Sequence, residues 1–110
     1  MSIYCLIPAR SGSKRIKNKN IKSFHGKPII SYAISNAKKS GLFHKIFVST
    51  DSFKIAKIAK KYGAEIPFLR PKNISNDKTV DDSVRKHFLE YCKKKKLNVD
   101  YLCYLYPCTP

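Results

Sequence analysis

The sequence predicts a three-layer α/β domain built on a mainly parallel sheet, and two observations carry that expectation. Short apolar runs at residues 3–7, 46–48, 65–69 and 101–106 alternate with segments of helical periodicity, at spacings that parallel crossovers need. The first run then stops abruptly in a loop of small and cationic residues, as a buried strand does when it hands over to an anion-binding loop.

Each element follows from its own residues. Residues 3–7 form strand one. Lys27-Pro28 opens the first helix, with proline suited to the first turn. Ile30, Ala33, Ile34 and Ala37 fall on one helical face, Lys38 and Lys39 lie in the last turn, and Gly41 is the stop. Ile46-Phe47-Val48 forms strand two, ending at Ser49-Thr50-Asp51. Asp51 or Ser52 caps the second helix, whose apolar face is Ile55, Ile58, Ala59 and Tyr62 and whose end is Gly63. Residues 65–69 form strand three, and a polar loop runs from Arg70 to Lys78. Thr79 caps the third helix, Asp81 and Asp82 occupy its first turn, and Val84, Phe88, Tyr91 and Cys92 form its inner face. Residues 101–106 form strand four.

At 110 residues the chain holds at most one domain, and no apolar run approaches the length of a membrane span. Its start carries no signal-peptide pattern, so a cytoplasmic location and no membrane partner are expected. Cys5, Cys92, Cys103 and Cys108 lack metal-ligand or redox spacing and read as structural thiols. His25, His44 and His87 are scattered, with no hydrolytic or metal pattern around them.

The net charge of +16 raises the possibility of a basic nucleic-acid-binding module. The kind of cation argues against it, since only four of the 23 cationic residues are Arg. The surplus is also spread over every predicted helix, and the run 93–96 reads as a solvated helix end. No nucleic-acid partner is expected.

The basic loop is the most informative segment. Arg10, Lys14, Arg15, Lys17 and Lys19 place five positive charges within ten residues, with Ser11, Gly12 and Ser13 among them. Small residues let backbone N–H groups approach an anion, and the cations neutralise it, so a polyphosphate is the expected ligand. Gly12 stands alone, which excludes both a Walker loop and a dinucleotide fingerprint. The other strand ends contribute Thr50-Asp51, Arg70-Pro71 and Tyr106-Pro107 to the same sheet edge. Arg70 and Asn20 offer the fork and the donor–acceptor pair that suit a pyrimidine edge. Asp51 is open between a helix cap and a direct role.

With these residues placed, the chain resembles the N-terminal half of the CMP-nonulosonate synthetases, the acylneuraminate cytidylyltransferases. The likeness runs from Ile7 to Pro110. It comprises Ile7-Pro8-Ala9-Arg10-x-Gly12-Ser13-Lys14, Lys19-Asn20-Ile21, Gly26-Lys27-Pro28, Val48-Ser49-Thr50-Asp51, Tyr62-Gly63-Ala64-Glu65, Leu69-Arg70-Pro71 and Tyr106-Pro107-x-x-Pro110, all in order. Lys14-Arg15-Ile16 and Tyr106 look most like the pseudaminic acid branch, since sialic acid enzymes tend to carry Gly after that Lys and Gln before that Pro. The family often has Pro and a cation where this chain has Lys17 and Asn18.

The resemblance implies a Rossmann-like nucleotidyltransferase fold, truncated here, with residues 1–110 as the nucleotide-binding part of one cytidylyltransferase domain. It implies that CTP and a nine-carbon keto sugar acid, pseudaminic acid first, give a CMP-sugar and pyrophosphate. N-acetylneuraminate or another sugar acid handled by the same fold is the alternative. By family likeness Arg10, Ser13, Lys14 and Lys19 hold the triphosphate, with Lys19 and Arg10 as the catalytic cations. Asn20, Arg70 and the backbone around Asp77 surround the cytidine. The resemblance also implies Mg²⁺, whose acidic ligands, like most of the sugar-acid pocket and the segment that makes a homodimer, belong to a C-terminal half beyond Pro110.

Overall fold

The computed structural model describes residues 2–9, 23–24, 26–69 and 81–106. In chain order these form β1 (Ile3–Pro8), β2 (Ser23–Phe24), β3 (Lys27–Pro28), α1 (Ile29–Ser40), β4 (Lys45–Ser49), α2 (Phe53–Lys61), α3 (Asp81–Lys94) and β5 (Tyr101–Tyr104). β1 lies between β4 and β5 and is parallel to both. Outside β4, residues 65–69 run parallel to it through bridges from Phe47 to Glu65 and from Thr50 to Leu69.

Alternation along the strands divides the core into two. Cys5, Ile7, Ile46 and Val48 face Ile30, Ala33, Ile34 and Ala37 of α1 and Ile55 and Ala59 of α2. Tyr4, Leu6 and Phe47 face the other way, onto Phe88 and Cys92 of α3. Residues of a strand point alternately to opposite faces, so β1 is apolar throughout because both of its faces are covered. This is the expected three-layer arrangement.

The helix termini obey local rules. Ser52, not Asp51, caps α2: its hydroxyl accepts from the Ile55 N–H at 3.2 Å. At the other end Ala64 N–H reaches Ala59 O and Gly63 N–H reaches Lys60 O, with Gly63 at φ 102. That pair of bonds satisfies carbonyls the helix leaves open. α3 ends in the same way, Leu97 N–H to Cys92 O and Lys96 N–H to Lys93 O, with Lys96 itself at φ 56.

Three boundaries differ from the sequence reading. Strand three is reduced to its two end bridges, because Pro67 in its middle has no N–H to donate. α1 begins at Ile29, not at Lys27, and Pro28 sits just outside it with ψ 138, pairing with Ser23 in a small antiparallel ribbon. β5 ends at Tyr104, although Leu105 N–H still reaches Leu6 O at 3.0 Å. The predicted Thr79 cap and the loop from Arg70 to Lys78 lie outside the described residues.

Candidate functional site

The order of the sheet is what positions a site. Read across, it runs from residues 65–69 to β4, β1 and β5, so successive connections leave β1 in one direction and the last one returns to its other side. The reversal lies between β1 and β5. Open α/β sheets bind ligands at the carboxyl ends of the strands flanking such a reversal, where two loops diverge and leave a crevice.

At that edge the strand ends are held in register by main-chain bonds. Ala9 N–H donates to Ser49 O at 2.8 Å, which locks the exit of β1 to the end of β4. Thr50 is fully buried, and its hydroxyl accepts from the Ser52 N–H at 3.1 Å, turning the chain out of β4 into α2. The Thr50–Leu69 bridge brings the exit of the third segment alongside. Ala9 immediately precedes Arg10 and the basic loop, and Leu69 immediately precedes Arg70. The described chain thus delivers both cationic segments from one edge of one sheet.

The site residues expected from sequence, Arg10, Ser13, Lys14, Lys19, Asn20, Arg70 and Asp77, all lie outside the described residues. Of the other strand-end groups, Asp51 is half-buried beside the α2 cap, and Tyr106 is exposed just past β5. Ser49 is a buried polar group whose hydroxyl has no hydrogen-bond partner among the described residues.

One cation at this edge was missed by the sequence reading. Arg85, in the first half of α3, places its guanidinium 4.8 Å from the centre of the Tyr104 ring, and Tyr104 meets Tyr106 edge-on at 5.5 Å. A guanidinium over an aromatic face is held by the ring quadrupole. The sequence did carry a signal: Arg85 is one of only four Arg in a chain that otherwise uses Lys.

The histidines take structural places where they are described. His44 stacks on Tyr4 at 6.0 Å, and His87 meets Phe68 edge-on at 4.3 Å. Among the described residues no three His, Cys, Asp or Glu side chains come together as a metal site would require. Likewise, none of the described helices is long and apolar enough to cross a membrane. A cleft of about 480 Å³ lined by Phe53, Lys57, Phe68 and Leu69 sits on the outer side of the third segment, away from the reversal.

Comparison with known proteins bears on the family and the fold. Over its full length the chain is 44% identical to a pseudaminic acid cytidylyltransferase of Campylobacter jejuni, of which it covers 47%. It is 49% identical over 78 residues to a CMP-N,N'-diacetyllegionaminic acid synthase of the same species, covering 71% of this chain and 33% of that protein. An N-acylneuraminate cytidylyltransferase of Escherichia coli is 42% identical over 87 residues, covering 79% of this chain and 20% of the relative. The chain therefore spans about half the length or less of the curated relatives it matches. Among solved structures, a CMP:2-keto-3-deoxy-manno-octonic acid synthetase complexed with CTP superposes with a TM-score of 0.75 at 20% identity, over 97% of this chain and 40% of that one, which establishes the shared fold. The cytidylyltransferase family model matches residues 4–99, and with that match, the relatives and the sheet order in agreement, the chain belongs to the cytidylyltransferase family.

Proposed function

We infer that this chain is the CTP-binding part of an enzyme that activates a nine-carbon keto sugar acid, pseudaminic acid, as its CMP conjugate. The observation that carries the reading is the sheet reversal between β1 and β5, with Ala9 leading straight into the cationic loop at that point. In the reaction the anomeric hydroxyl oxygen attacks the α-phosphorus of CTP. A new P–O bond forms, the bond to the β-phosphate breaks, pyrophosphate leaves, and the hydroxyl proton passes to solvent.

The chain's residues serve by position and charge. Arg10, Ser13, Lys14 and Lys19 hold the triphosphate, and Lys19 with Arg10 stabilises the charge that builds as pyrophosphate departs. Preorganised cations do this without reorganising at the moment of reaction. Asn20, Arg70 and the backbone near Asp77 read the cytosine edge. Arg85 adds positive potential at the end of β5. Mg²⁺, which the family resemblance implies, would offset triphosphate charge and would be held by acidic residues outside the described ones, among which no three His, Cys, Asp or Glu side chains come together.

Pseudaminic acid is favoured over other sugar acids because likeness to that branch extends along the whole chain, whereas the legionaminate and neuraminate relatives match shorter stretches. On the same reading the whole enzyme is a cytoplasmic homodimer, a view supported by the family resemblance.

Pyrophosphate release with each of the four nucleoside triphosphates, measured on the chain extended to its relatives' full length, tests the proposal. CTP should be strongly preferred, and equal rates with UTP or ATP would contradict it. Lys19→Ala should lower turnover by on the order of 10²-fold with folding unchanged. A loss within about threefold would make Lys19 a solvated loop residue.

A further inference from the structure

The fold gathers at one end of the molecule a charge that the sequence shows as scattered. Helices that connect parallel strands run antiparallel to them, so all three helices end at the edge opposite the candidate site. His44 N–H, four residues past α1, bonds Ile3 O at the start of β1. α2 finishes beside α1, where a Cβ on Gly63 would collide with the ammonium end of Lys38. Past α3, Asp100 N–H reaches Ser2 O, and Ser2 N–H donates to the Asp100 carboxylate at 2.8 Å.

Each helix end is cationic. Lys38 and Lys39 close α1, Lys60 and Lys61 close α2, and the run 93–96 closes α3. All eight side chains are exposed, and among the described residues none has an ion-pair partner. The nearby acids are few. Glu65 is engaged with Lys45 at 3.6 Å, Asp100 holds Ser2, and Glu90 lies a turn back along α3. Interaction with the helix dipole accounts for the cations of each helix end separately. It does not offset the mutual repulsion of eight cations brought to one face, which an external polyanion would relieve. Leu42 at 65% exposure and Tyr101 at 59% stand at the same edge, one apolar and one amphipathic.

We propose that this lysine-rich face, with Leu42 and Tyr101 as shallow anchors, docks the protein reversibly onto an anionic lipid surface. Such binding needs no spanning helix, so the absence of an apolar span in the sequence does not bear on it. Hydrated Lys charges suit the diffuse potential of a headgroup layer, whereas nucleic acid favours forked Arg and stacked aromatics. The one described Arg, Arg85, lies towards the other end, and this face offers a single exposed tyrosine. Tyr is an interfacial residue, and Leu adds apolar contact below the headgroups. Docked this way, the carboxyl ends of the strands face the aqueous side.

Co-sedimentation with vesicles of phosphatidylcholine alone, or mixed with phosphatidylglycerol, tests the proposal. The chain should bind only the anionic vesicles and dissociate as salt is raised. Replacing Lys93, Lys94, Lys95 and Lys96 by Gln should weaken partitioning by at least ~10²-fold. A second variant, Lys39→Gln, Lys60→Gln and Lys61→Gln, should act in the same direction, with folding of both checked by circular dichroism. A charge-matched control carrying Gln at Lys27, Lys54, Lys57 and Lys86, none of which lies in the last turn of a helix, should lose no more than ~10-fold. Equal losses in control and test variants would mean that only bulk charge matters and would overturn the proposal. So would absence of vesicle binding, or tighter binding to a single-stranded oligonucleotide at equal phosphate concentration, which would assign the face to nucleic acid.

Discussion

Ser49 ends β4 with a fully buried hydroxyl that finds no hydrogen-bond partner among the described residues. Leaving a buried polar group unsatisfied costs about 1–3 kcal/mol. Ser49→Ala should therefore leave stability unchanged or raise it, as measured by urea denaturation. A loss of more than about 1 kcal/mol would mean that the hydroxyl is satisfied in the native protein. Cys5 lies opposite Cys103 in the β1–β5 register, and burial first, then the neighbouring Cys103 thiol, pushes its pKa from 9.0 up to about 12. Below pH 9.0 the thiol keeps its proton in folded and unfolded chains alike, and its contribution to stability is fully present. Above that, the unfolded chain ionises first, so stability should fall as pH rises towards about 12. Cys5→Ala should flatten that part of the stability profile. An unchanged profile would show that Cys5 does not cause the fall.

At the scale of elements, the parts governed by local chemistry were legible in the sequence. The periodicity of Ile30, Ala33, Ile34 and Ala37 marked the buried face of α1, and Gly41 and Gly63 marked helix ends. The break in strand three was legible too, had Pro67 been weighed as a missing donor. Lys96 at positive φ was not, because nothing in a run of four lysines singles out the residue that must take the left-handed conformation. Phe88 shows how α3 is held. It is fully buried, with its ring 5.0 Å from that of Phe47 on the sheet. Phe88→Ala should destabilise the fold by about 3–5 kcal/mol in chemical denaturation, a large share of what a small domain possesses. A loss below about 1 kcal/mol would mean that α3 does not depend on this contact.

At the scale of the whole molecule, strand order was the main fact the sequence withheld. Periodicity identifies strands but not neighbours, and the placement of β1 between β4 and β5 depends on contacts far apart along the chain. The same gap hid the cationic face, since lysines from three helices become neighbours only once the crossovers are made. The candidate site was legible in a different sense. Its residue types and motif order pointed to the family, while the structure contributes the strand ends from which those residues depart.

On the proposed function, CTP binds at the carboxyl edge of β1, β4 and β5. Titration of the isotope-labelled chain with CTP, followed by amide chemical shifts, tests it most directly. The largest changes should fall at Ala9, Thr50, Asp51 and Leu105, with Lys39, Lys61 and Lys95 at the opposite edge unmoved. Shifts confined to those lysines, or equal shifts at both edges, would contradict it.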